Sequence, residues 1–170
     1  MRFSEKDARP MGRNAGGVRG IKLGKDDAAV GMDVIKAQNS KVKAQEYLLV
    51  ISEKGLGKKT RVEKYRHQNR GGSGIITLKV SARTGRLVAA RVIDKTVGDI
   101  LITSAQGQVI RLPTKSISTL GRSTQGVRLM RLNKDDSVAA LACFKSDHLP
   151  QQETEKTNNK SKKKTPRAEG

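Results

Sequence analysis

A chain of 170 residues has room for about one domain. Its 35 Lys and Arg against 16 Asp and Glu leave a net charge of +19, an excess that points to a polyanionic partner such as nucleic acid or an anionic membrane surface. No apolar run approaches the roughly 20 residues a spanning helix needs, and the first 15 residues carry Glu5, Asp7 and Pro10 in place of a signal peptide's apolar stretch, so a cytosolic protein without a membrane partner is expected.

In chain order, Met1-Arg2-Phe3 has the pattern of the second strand of a unit whose first strand is missing, which predicts either a fragment of a longer chain or a strand lent by another copy. A glycine segment follows, Gly12-Arg13-Asn14-Ala15-Gly16-Gly17-Val18-Arg19, with Leu23, Asp26 and Asp27 behind it. Residues 47–52 are rich in Val, Ile and Leu and predict a strand, followed by Gly55-Leu56-Gly57-Lys58-Lys59. Tyr65-Arg66 leads into a second glycine segment, His67-Gln68-Asn69-Arg70-Gly71-Gly72-Ser73-Gly74, and strands are expected over 75–80, 87–93 and 100–104. Next come Gly107-Gln108-Val109-Ile110-Arg111, a third glycine segment, Gly121-Arg122-Ser123-Thr124-Gln125-Gly126-Val127-Arg128, and strands over 127–132 and 138–144. In 75–80 and 127–132, basic side chains alternate with apolar ones, as on half-buried strands. Cys143, the only cysteine, sits in the apolar run 139–144 and is expected to be a buried structural thiol. From Pro150 onward the pattern stops, and a basic tail over 150–170 with Lys160, Lys162, Lys163 and Lys164 is expected to be disordered.

The first and third glycine segments match at a constant offset of 109 residues, which also aligns Leu23, Asp26 and Asp27 with Leu132, Asp135 and Asp136. The middle copy stands at offsets of 57 and 52, with Gly74 in the place of Gly17 and Gly126, and Arg2 falls in the place of Lys59 and Arg111. Three β-rich copies of about fifty residues predict an all-β repeat of four-stranded blades, propeller-like and forming a partial ring. The expected divisions are a partial blade over 1–40, a blade over 41–95, a last blade over 96–149 and the tail over 150–170.

Clustered glycines permit positive φ and close approach to a ligand, and flanking arginines with exposed N–H groups make a phosphate-binding concavity. Arg13, Arg19, Arg66, Arg70, Arg122 and Arg128 recur beside these turns. A single such turn reads as a corner between strands with a solvated cation; threefold recurrence in so basic a chain favours phosphate binding. Other chemistries fit less well. Tyr65 lacks an acidic metal-binding cluster nearby and reads as a packed tyrosine with its hydroxyl satisfied. Gly57-Lys58-Lys59-Thr60 resembles the end of a phosphate-binding loop, but Ser52 stands where the first glycine belongs and Lys59 where Ser or Thr belongs. His67 and His148 have no ligand spacing and read as surface residues, while Asp26, Asp27, Asp135 and Asp136 read as turn residues rather than a metal site.

Gln68-Asn69-Arg70-Gly71-Gly72-Ser73-Gly74 is similar to the gyrase box, QRRGGKG, with Asn69 and Ser73 each replacing a basic residue. Residues 12–20 and 121–128 resemble the MGRNTQGVRGI phrase of the last blades of the C-terminal DNA-wrapping domain of the bacterial DNA gyrase A protein. The likeness runs from residue 1 to about 145, and the box-like segment lies before the last blade, whereas the family's defining box lies in its first. The resemblance implies a β-pinwheel whose basic rim bends duplex DNA, giving the crossing of fixed hand that leads to negative supercoils. It implies contacts from Arg13, Arg19, Lys58, Lys59, Arg66, Arg70, Arg122 and Arg128, with Gly71, Gly72 and Gly74 shaping the turn. It also implies no catalytic residue, metal or cofactor in this chain: the catalytic tyrosine domain and the ATP and Mg chemistry belong to the rest of gyrase A and to its partner, gyrase B. A cytoplasmic, nucleoid-associated protein is expected.

Only four aromatics occur, too few for single-strand stacking platforms, and no recognition helix or zinc finger is readable, so duplex contact through phosphates without base readout is expected. Three alternatives stay open: the related C-terminal domain of the topoisomerase IV A protein, a free-standing architectural DNA-binding protein, and a propeller-like protein-interaction module.

Overall fold

A computed structural model describes residues 1–35 and 45–145; the expected basic tail, with His148, lies outside the described residues. Among the described residues, seven strands make two antiparallel sheets. β1 (Tyr47–Ser52), β2 (Leu56–Arg61), β3 (Leu87–Ile93) and β6 (Val127–Arg128) form a sheet in the order β3-β1-β2-β6. β4 (Val97–Ser104), β5 (Val109–Pro113) and β7 (Val138–Lys145) form the second, in the order β5-β4-β7. The helical elements described are three 3-10 turns, Glu5–Asp7, Val62–Lys64 and Thr114–Ser116.

Strand β1 is an unbroken apolar run because it is central and buried on both faces. Leu49 and Ile51 point to the core, and Val50, on the opposite face by strand alternation, is equally inaccessible. Gly55, at φ +76°, turns β1 into β2, and Gly107, at φ +86°, turns β4 into β5. In each sheet the first strand of the hairpin also pairs with a later strand, β1 with β3 and β4 with β7. The core lies where the two sheets meet: Leu49, Ile51 and Ile93 of the first pack with Ile100, Ile102 and Val138 of the second, closed by Ile117 and Met130.

The third glycine segment completes the sheet of the unit before it. Strand β6 pairs with β2 through Leu56↔Arg128 and Gly57↔Val127, and Leu129 and Met130 both donate their backbone N–H to the carbonyl of Gly55. This crossing explains two departures from the sequence reading. Residues 75–80 form no strand, and in 127–132 only Val127–Arg128 does, because these backbones bond across to a neighbouring unit while burying Leu78 and Met130. A third departure is Cys143, which is exposed: β7 is an edge strand, and its residues from Ala142 to Lys145 stay accessible.

Candidate nucleic-acid interface

The three glycine turns share one backbone geometry. Gly17, Gly74 and Gly126 hold φ of +79°, +81° and +82°, the left-handed region that favours glycine. Gly71 is also left-handed, at +81°. At Gly126 the need is steric too, since a Cβ there would lie 2.6 Å from the Gly57 carbonyl oxygen.

Equivalent arginines then bind each turn to the previous unit. The Arg70 guanidinium donates to the Arg19 carbonyl at 2.6 Å, and Arg122 donates to the Ile76 carbonyl at 3.4 Å. Both donors and both acceptors are related by the repeat offsets of 52 and 57. Arg70 also donates to the Asp7 carbonyl at 3.0 Å. Arg70 and Arg122 are thus half-buried clips between units, a role missed by the sequence reading although the constant offset carried the signal. Arg13, at the same register, is exposed, as are Arg19, Arg66 and Arg128.

Two expected DNA-facing lysines point inward. Lys58 is fully buried, and its ammonium donates to the carbonyls of Gly121, Arg122 and Thr124 and to the Thr124 hydroxyl. Four acceptors around three N–H donors leave none for a phosphate, so Lys58 supports the third turn from beneath. Burial lowers its pKa to about 8. Lys59 is half-buried, its ammonium donates to the Thr114 carbonyl at 2.8 Å, and it sits 5.4 Å from the centre of the Tyr47 ring; burial lowers its pKa as well. Arg2 does the equivalent at the first junction, donating to the Val62 carbonyl at 3.3 Å.

The remaining candidates lie where the sequence placed them. Tyr65 is buried and its hydroxyl is 2.5 Å from that of Thr77. His67 is exposed. Asp27 caps a turn by accepting from Gly24 N–H, and Asp136 accepts from the N–H groups of Gln106 and Ser137. Burial raises the Asp136 pKa, but hydrogen bonds led by that from Ser104 outweigh it and hold the carboxyl below its ordinary range. Among the described residues the only ion pair is Arg111 with Asp99, so the exposed arginines beside the glycine turns have no carboxylate partner there.

The model of the family described as DNA gyrase C-terminal domain, beta-propeller, matches residues 1–36, 46–94 and 98–145. The DNA gyrase A protein of Ureaplasma parvum is 42% identical over 149 residues, 88% of this chain and 17% of that protein. The DNA gyrase A protein of Staphylococcus aureus is 40% identical over 157 residues, 92% of this chain and again 17% of the relative, so the chain spans about a sixth of the relatives it matches. The solved structure of a DNA gyrase A C-terminal domain superposes with a TM-score of 0.70 at 28% identity, covering 84% of this chain and 46% of that one. The C-terminal domain of DNA topoisomerase IV shares the fold at a TM-score of 0.76 and 18% identity, covering 85% of this chain and 43% of that one. With its interlocked β units, its threefold glycine turn and this match along most of its length, the chain belongs to the DNA gyrase A C-terminal domain family.

Proposed function

We propose that this chain binds duplex DNA without sequence specificity and wraps it along the face that carries the three glycine turns, as the C-terminal part of a gyrase A protein, thereby supporting negative supercoiling. The observation that carries this reading is the recurrence of one left-handed glycine turn flanked by exposed arginines, Arg13 and Arg19 at the first copy, Arg66 before the second and Arg128 at the third. Arg70 and Arg122 clip the turns together, Lys58 holds the third from the inside, Lys59 bonds to Thr114 ahead of it, and the left-handed Gly71 and Gly74, with Gly72 between them, shape the second. Affinity comes from phosphate neutralisation and counterion release. Curving the duplex costs on the order of 1 to 6 kcal/mol per 20 to 30 base pairs, which cations on successive units offset. In this reading the chain uses no cofactor or metal of its own. Strand cleavage and ATP turnover belong to the remainder of gyrase A and to gyrase B, and the protein works in the cytoplasm on the nucleoid.

Nicked plasmid religated in the presence of the chain at two salt concentrations tests this directly. A salt-sensitive shift in linking number is expected. Binding without a shift removes wrapping from the proposal, and absence of duplex binding overturns it.

A further inference from the structure

The repeat register places a cation five residues after the left-handed glycine that the three glycine segments share: Lys22 after Gly17, Lys79 after Gly74 and Arg131 after Gly126. This position is basic in all three copies, whereas the position of Arg19 and Arg128 is Ile76 in the middle one. All three side chains are exposed, and none has an ion-pair partner among the described residues.

The backbones of the first two are tied to the next turn. Lys22 donates its N–H to the Gly72 carbonyl at 2.9 Å, and Lys79 donates its N–H to the Thr124 carbonyl at 3.1 Å. Gly72 and Thr124 are themselves equivalent, at an offset of 52. The same bond is therefore made at both successive junctions, so each of these two cations is anchored where one glycine turn meets the next. Lys79 also shares a shallow groove with Ser123 of the following turn, and Arg131 shares one with Lys54 and Arg128, which Asp135 and Asp136 also line. The cations four residues before these glycines behave differently, since Arg70 and Arg122 bond to the preceding unit.

We propose that Lys22, Lys79 and Arg131 form a track of phosphate-binding cations, one per unit, with Lys22 and Lys79 standing at the unit junctions, and that this track guides the duplex from one glycine turn to the next. The proposal rests on the reading of the chain as a duplex binder and adds to it the residues that bridge the turns. A cation whose main chain is fixed and whose side chain is free suits this role, because the long stem adjusts to the phosphate while its origin stays in register with the repeat.

The test compares the full chain with the triple variant Lys22→Gln, Lys79→Gln, Arg131→Gln and with a control that loses the same charge elsewhere, Lys64→Gln, Arg83→Gln, Lys95→Gln. Duplex affinity is measured across a range of salt concentrations by fluorescence anisotropy, and thermal unfolding verifies the fold of both variants. Removing the three track cations should flatten the slope of log K against log salt by about 2.7, at about 0.9 per phosphate neutralised. The control should keep a slope near that of the unaltered chain. An unchanged slope in the track variant, or an equal fall in the control, overturns the track while leaving duplex binding intact. Failure of the unaltered chain to bind duplex overturns the reading beneath it instead.

Discussion

Lys58 shows how far a residue's role departs from its type. Its ammonium lies under the third glycine turn among the carbonyls of Gly121, Arg122 and Thr124, held there by a strand of the preceding unit. In Lys58→Met, removing the charge recovers its desolvation cost but leaves the partly buried carbonyls of Gly121, Arg122 and Thr124 without this donor. The second effect dominates, and a loss of about 2 kcal/mol is expected in urea unfolding. The pH dependence follows from the pKa lowered to about 8, against 10.5 for an ordinary lysine. Between those values the unfolded chain keeps a proton that the folded chain has released, so stability rises with pH across this window. Urea unfolding at pH 7.5 and pH 10 should show a larger gain in the unaltered chain than in Lys58→Met, where only the lowered pKa of Lys59 still contributes in this direction. Sequence could not separate Lys58 from the exposed cations, since burial depends on which segment crosses above it.

At the scale of the element, the glycine turn is one conformation used in two environments. Gly17 and Gly126 have nearly equal φ, yet a Cβ at Gly17 meets nothing within 4 Å, while at Gly126 it meets the Gly57 backbone. Gly17→Ala therefore carries only the conformational cost, about 1 kcal/mol. Gly126→Ala adds a clash with backbone that cannot rotate away, and its loss should be at least about 2 kcal/mol larger. Thermal unfolding of the two variants measures the difference. Strands with continuous apolar runs, such as β1, are legible in the sequence because burial on both faces leaves that pattern. Residues 75–80 mislead because half-buried alternation records burial, not the partner of the backbone, and here the partner lies across a unit junction. Cys143 misleads for the converse reason: an apolar run on an edge strand has a core strand's composition without its cover.

For the whole molecule, stability is divided between units and the interfaces that join them, as in other repeat proteins. Arg70 and Arg122 belong to the interfaces, so Arg70→Met with Arg122→Met should loosen coupling while leaving each sheet intact. Loss of about 1 kcal/mol per clip and a shallower urea transition are expected, read by circular dichroism. Composition alone determined the charge balance that points to a polyanionic partner, because a net charge of +19 is a property of the residues wherever they lie. The offsets of 52, 57 and 109 determined the repeat, and the short runs rich in Val, Ile and Leu between its turns determined its β character. Only the tertiary structure decided which cations face solvent. Arg13, Arg19 and Arg128 are exposed, Arg70 and Arg122 clip neighbouring units, and Lys58 is buried, because the third glycine segment folds onto the sheet before it and so covers a side chain 63 residues from Gly121 in sequence.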